Sequence, residues 1–69
     1  MDARKEIDRL IERAQREVAE GRYDEASTAL QQAMDIAEES GIVHAGLDAA
    51  IQTIGEYAAM MRIAREASP

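Results

Sequence analysis

Sixty-nine residues bound the chain to one domain, and a domain this short buries only about 60% of the surface its unfolded form exposes. Eight basic against fourteen acidic side chains give a net charge of −6, with arginines interspersed among carboxylates, which disfavours a nucleic-acid face built on phosphate neutralisation. There is no cysteine, so disulfides, thiolate metal sites and thiol catalysis are excluded as well.

From Ala3 to Glu20 the apolar residues Ala3, Ile7, Leu10, Ile11, Ala14 and Val18 recur at three and four. At about 100° per residue they span an arc of only about 100°, the stripe of a surface helix. Glu12 and Arg16, at i,i+4, and Glu6 and Arg9, at i,i+3, are placed to pair on its outer face. Gly21 is the stop signal, because a glycine just past the last periodic residue takes the left-handed conformation at almost no steric cost.

Asp24 is expected to cap a second helix over about 25–40. Its apolar positions Ala26, Ala29, Leu30, Ala33, Met34, Ile36 and Ala37 cover about 160°, so it must touch more than one neighbour. Glu38 and Glu39 fall at the unfavourable negative end of its dipole, and Gly41 supplies a second stop. A third helix follows over about 43–67, with Ser68 and Pro69 a frayed end. Gly46 and Gly55 lie inside it, and an interior glycine is read as close approach of another backbone. Aromatics are confined to Tyr23 and Tyr57, and strand-type alternation is missing, so the expected fold is an all-α, antiparallel three-helix bundle.

The stretch GRYDEASTALQQA, Gly21 to Ala33, resembles the turn and second helix of a tetratricopeptide repeat: Gly21, Tyr23, Ala26, Leu30 and Ala33 stand where the family has Gly-x-Tyr-x-x-Ala, a large apolar residue and Ala. Ile51, Ile54, Gly55 and Ala58 resemble part of the family's first helix, with Ala58 where a tyrosine belongs. The resemblance implies a helical hairpin in which Gly21 makes the turn, Tyr23 tucks beneath it, and Ala26 and Ala33 let the helices approach. It also implies one and a half repeats, which close as a bundle or recruit another chain because such repeats bury their faces only by stacking. The same turn resembles, more loosely, that of three-helix trafficking domains of the microtubule-interacting-and-transport type. The regular charge alternation of the first helix is similar to that of designed miniproteins.

On the third helix, Val43, Leu47, Ala50, Ile51, Ile54, Tyr57, Ala58, Met61 and Ala64 project onto one broad face, expected to fill the groove between the first two helices. A second apolar strip holds Ile42, Ala45, Ala49, Met60, Ile63 and Ala67, giving a total apolar arc of about 240°. Two helices cover about half of a third, so either the bundle wraps the third helix unusually deeply or the second strip faces a protein partner, and the partner is the favoured expectation. Ile42, Met60 and Ile63 are the expected anchors, with Ala45 and Ala49 allowing close approach and Arg62 at the rim. A homodimer using the same strip is the alternative.

Candidate chemistry is sparse. His44 and Asp48 stand one helical turn apart, and a small catalyst or metal site could be imagined there, but one imidazole and one carboxylate supply too few ligands. Ser27, Ser40 and Ser68 have no assembled base, and no phosphate-cradling glycine loop occurs. The expectation is a protein without enzymatic activity, with no cofactor, metal, nucleic-acid or small-molecule partner. No apolar run approaches the about 20 residues that cross a bilayer, and the opening MDARKEIDR lacks a signal-peptide core, so a soluble, cytoplasmic protein is expected.

Overall fold

The computed structural model describes residues 2–67; the frayed end expected at Ser68 and Pro69 lies outside them. It consists of α1 (Ala3–Ala19), α2 (Tyr23–Ser40), α3 (Ala45–Ala50), a π-helical turn (Ile51–Gly55) and α4 (Glu56–Ala67). Ile51 and Glu56 keep ordinary right-handed dihedrals, so the last three elements run on as one rod, residues 45–67. The fold is the all-α three-helix bundle that the sequence implies, and no helix among the described residues is long and apolar enough to cross a membrane.

Both hairpin turns have the same construction. After α1, Gly21 takes φ +77°, its N–H donates to the Val18 carbonyl, and the Arg22 N–H donates to Glu17 O at 2.8 Å. After α2, Gly41 takes φ +64°, its N–H donates to the Glu38 carbonyl, and the Ile42 N–H donates to Ala37 O at 2.9 Å. This pair of bonds satisfies carbonyls that a helix end otherwise leaves open. At the first turn the side chains repeat the backbone link: Arg22 Nε donates to Glu17 Oε2 at 2.8 Å, and a second guanidinium nitrogen pairs with Glu20. The hydrogen bond from Arg22 holds the Glu17 carboxyl below the usual glutamate range, with the charges of Arg22, Arg13 and Arg16 assisting and partial burial opposing. The same bond pushes the Arg22 guanidinium further up.

Nine side chains form the buried core, and six of them are alanine: Ala14, Ala26, Ala29, Ala33, Ala50 and Ala58, beside Ile7, Leu30 and Leu47. Alanine lets helix axes come close but contributes little apolar area, so the three large residues carry a disproportionate share of the burial energy. Leu10, Ile11, Val18, Met34, Ile36 and Ala37 pack half-buried around them, which accounts for every apolar position expected on α1 and α2 except Ala3, itself half-buried.

Several local expectations are corrected. Helix 2 begins at Tyr23, not Glu25, and its entry has no side-chain cap; Asp24 sits within the first turn and pairs instead with Arg62 of α4, Nε to Oδ1 2.6 Å. Neither Glu12 with Arg16 nor Glu6 with Arg9 closes to ion-pair distance among the described residues. The third rod begins at Ala45, so Val43 lies in the connection and is 82% exposed instead of joining the core face. Tyr57 (46% exposed) and Ala64 fall on the flank, because the inward line follows half-buried Ile54, buried Ala58 and half-buried Met61 down the rod. Gly55 does not admit another backbone: a Cβ there would meet the Leu30 side chain at an ordinary 3.5 Å.

The rod runs parallel to α1 and antiparallel to α2, pinned at both ends. At its start, His44 reaches Asp8 of α1 and Arg4 donates to the Val43 carbonyl. At its far end, Arg65 Nη2 donates to the Gly21 carbonyl at 3.1 Å while its guanidinium carbon stands 5.3 Å from the Tyr23 ring centroid. Tyr57 meets the same ring edge-on, 6.1 Å between centroids.

Candidate protein-interaction surface

The outward side of the third rod carries the residues that the helical projection singles out. Met60 and Ile63 are 65% and 66% exposed, and at i,i+3 they share one face of α4. Ala45 and Ala49 are exposed, one turn apart, at the beginning of the rod. From Ala49 to Met60 is about 16 Å along a helix, so the alanines and the two large residues make separate patches.

Two expected members behave differently. Ile42 precedes the rod, half-buried in the turn whose backbone it closes onto Ala37, and it therefore does not share a helical face with Met60. The Arg62 guanidinium is held by Asp24, so it faces α2 and closes one end of the interhelical surface instead of standing free at a rim.

His44 and Asp48 do not form a pair. The Nδ1 atom of His44 accepts the Leu47 N–H at 3.0 Å, making His44 the N-cap of α3, and Nε2 lies 2.8 Å from Asp8 Oδ1. A backbone N–H can only donate, so Nδ1 is the acceptor and Nε2 the nitrogen that donates to Asp8. Gly46 makes this possible: a Cβ at that position would stand 2.9 Å from His44 Cε1. Both ring nitrogens are occupied by structural bonds, and no three His, Asp or Glu side chains converge among the described residues.

A feature that the sequence projection misses lies beside the exposed strip. Leu30 and Met34 of α2 and Ile51, Gly55 and Ala59 of the rod line an open groove of about 280 Å³, with Glu56 at its lip. Gln31 and Asp35, bonded to each other at 3.4 Å, stand on the α2 side, Gln31 lining the groove and Asp35 one turn farther along. Ala59 to Ile63 and Glu56 to Met60 are each one helical turn, so the groove and the exposed anchors form one continuous surface.

Charge is divided unevenly. Residues 1–22 carry six acidic and six basic side chains, while residues 23–69 carry eight acidic and two basic, so the whole net charge of −6 resides on α2 and the third rod. The two cations there are Arg62 and Arg65, bound to Asp24 and to the Gly21 carbonyl respectively. Counting charges by segment instead of over the whole chain would have revealed this from the sequence.

In comparisons with protein-family models, curated proteins and solved structures, the chain matches none of them.

Proposed function

We propose that this chain is a non-enzymatic protein-interaction module that engages a protein partner through the outward face of the third rod, with Met60 and Ile63 as its anchors. The observation that carries this reading is the exposure of these two large apolar side chains, about two-thirds each, on one face of a helix whose opposite face is committed to the bundle. Large apolar residues left together in solvent are costly unless something covers them, and methionine, with three rotatable bonds, adapts to the shape of what does. Ala59 and Gly55 beside them keep the neighbouring surface low, which lets a partner approach the rod closely.

The test is a selection of binders from a displayed library of helical peptides against the chain, followed by re-assay on the double variant Met60→Glu/Ile63→Lys. Loss of binding with an unchanged helical circular-dichroism spectrum supports the reading. Binders that hold the variant as tightly as the parent would move the interaction site to another face.

A further inference from the structure

We infer that the partner element covering this surface is a cationic amphipathic helix, an assignment that rests on the proposed function and narrows it. The groove between α2 and the rod has an apolar floor in Leu30, Met34 and Ile51, with Gly55 and Ala59 on its rod side, and the exposed Ile63 follows one turn beyond Ala59. An elongated trough between two helices is the shape that the apolar face of a third helix fills. Carboxylates stand beside it: Glu56 at the lip and Asp35 on α2, bonded to the lining Gln31, while the α2 and rod segment as a whole carries eight acidic and two basic side chains. Of the two cations on this segment, Arg62 is balanced by Asp24, and Arg65 is held at the first turn by the Gly21 carbonyl and the Tyr23 ring, away from the groove lining. The five basic residues of α1 belong to the segment whose charges already balance. A second copy of the chain would bring the same acidic α2 and rod against themselves, and like charges facing each other across an interface oppose docking. A helix with apolar residues at i, i+3, i+4 and i+7 and lysine or arginine on its shoulders satisfies both the groove and its rim.

The experiment is calorimetric titration of the full chain with two synthetic helical peptides of about 20 residues, or about 30 Å. Both place leucine at i, i+3, i+4 and i+7; one has lysine and the other glutamate at the flanking positions. Two charge-matched variants accompany the parent. Glu56→Lys/Ile63→Lys alters the surface, and Glu12→Lys/Gln15→Lys alters the exposed side of α1; each pair moves the net charge by the same amount. The lysine peptide is expected to bind about tenfold or more tightly than the glutamate peptide, and to weaken as salt rises. It should lose about tenfold on the surface variant and keep its affinity within about threefold on the α1 variant. Equal losses on both variants would mean diffuse attraction to a negative protein and overturn the inference, as would failure of both peptides to bind. Equal binding of both peptides, lost only on the surface variant, would overturn the charge assignment and leave the surface standing as a binding site. A dimer of the parent in sedimentation, abolished by Ile63→Lys, would also overturn it by identifying a second copy as the occupant.

Discussion

His44 donates from Nε2 to the Asp8 carboxylate across 36 residues of chain while its other ring nitrogen caps α3. One imidazole thus fixes both where the third rod begins and which part of α1 it begins against. The two roles separate by substitution. His44→Asn, which keeps a short side-chain acceptor, should retain most of the cap and lose the Asp8 link. His44→Ala loses both and should cost about 1–2 kcal/mol in urea unfolding, with Asn at about half of that or less. Equal costs for the two variants would show that the cap contributes nothing.

Gly46 in the first turn of the rod and Gly55 in its middle should respond to alanine with opposite signs. At Gly46 the added Cβ would displace the His44 ring, so Gly46→Ala should destabilise despite alanine's better helix propensity. In a His44→Ala background the ring is gone and the same change should stabilise. At Gly55 the added Cβ meets Leu30 at ordinary contact distance, so Gly55→Ala should stabilise by up to about 1 kcal/mol. Chemical denaturation of the parent, the three single variants and the His44→Ala/Gly46→Ala double variant measures both signs, and stabilisation by Gly46→Ala in the parent would contradict the cap geometry.

The hairpins and most of the buried line were legible because they are local. Ile7, Ala14, Ala26, Leu30 and Ala33 follow from three-and-four spacing, and Gly21 and Gly41 from the left-handed turn that ends a helix. The outward placement of Met60 and Ile63 followed from the same projection, since the inward line of Leu47, Ile54, Ala58 and Met61 stays close to a 3.6 period across the π turn. What escaped was tertiary. Histidine is a capping residue here because Gly46 leaves room for its ring and Asp8 accepts a hydrogen bond from its other nitrogen, neither of which is visible in adjacent sequence. Asp24 looked like a cap because such residues usually cap, and it pairs with Arg62 because the rod's return brings that side chain within reach. The groove along Leu30 and Gly55 needs two helices to exist at all.

Glu17 gives the acid limb of stability a defined sign. Its carboxyl titrates lower in the folded chain than the ordinary value near 4.5, so its pairing with Arg22 stabilises the fold at neutral pH. That contribution begins to fade as pH falls past the ordinary glutamate value and is gone below the depressed one. Glu17→Gln should therefore be less stable at neutral pH and show a shallower decline in thermal midpoint below about pH 4.5 than the parent. Parallel curves for the two proteins would show that the turn is indifferent to this charge. Arg22 stays protonated throughout, so its upward shift has no consequence in that range.

Because Met60 and Ile63 stand largely in solvent, replacing them should leave the bundle nearly as stable as before. Met60→Glu/Ile63→Lys is expected within about 0.5 kcal/mol of the parent in urea unfolding, whereas Ile7→Ala, at a fully buried position, should cost about 2–5 kcal/mol. A loss for the surface pair comparable to that for Ile7→Ala would make these residues part of the core and remove the basis for an interaction face.

The half of the rod that presents those anchors has the slenderest attachment. Ala58 is the one buried residue of α4 among those described, so α4 is fastened mainly by Arg62 on Asp24, by Arg65 on the first turn, and by the edge contact of Tyr57 with Tyr23. An exposed ion pair contributes about 0–1 kcal/mol and a cation–π contact about 0.5–1 kcal/mol. Arg62→Gln/Arg65→Gln should therefore loosen α4 without unfolding the α1–α2 hairpin. In native-state hydrogen exchange, α4 amides should lose protection by about tenfold, while those of α1 and α2 change little. Uniform loss across all three helices would instead mean that the bundle opens only as a whole, with the arginines contributing to its global stability. A partner lying along the groove would restore protection to α4 selectively, since it touches Ala59 and Ile63 on the loosened helix and Leu30 and Met34 on the firm one.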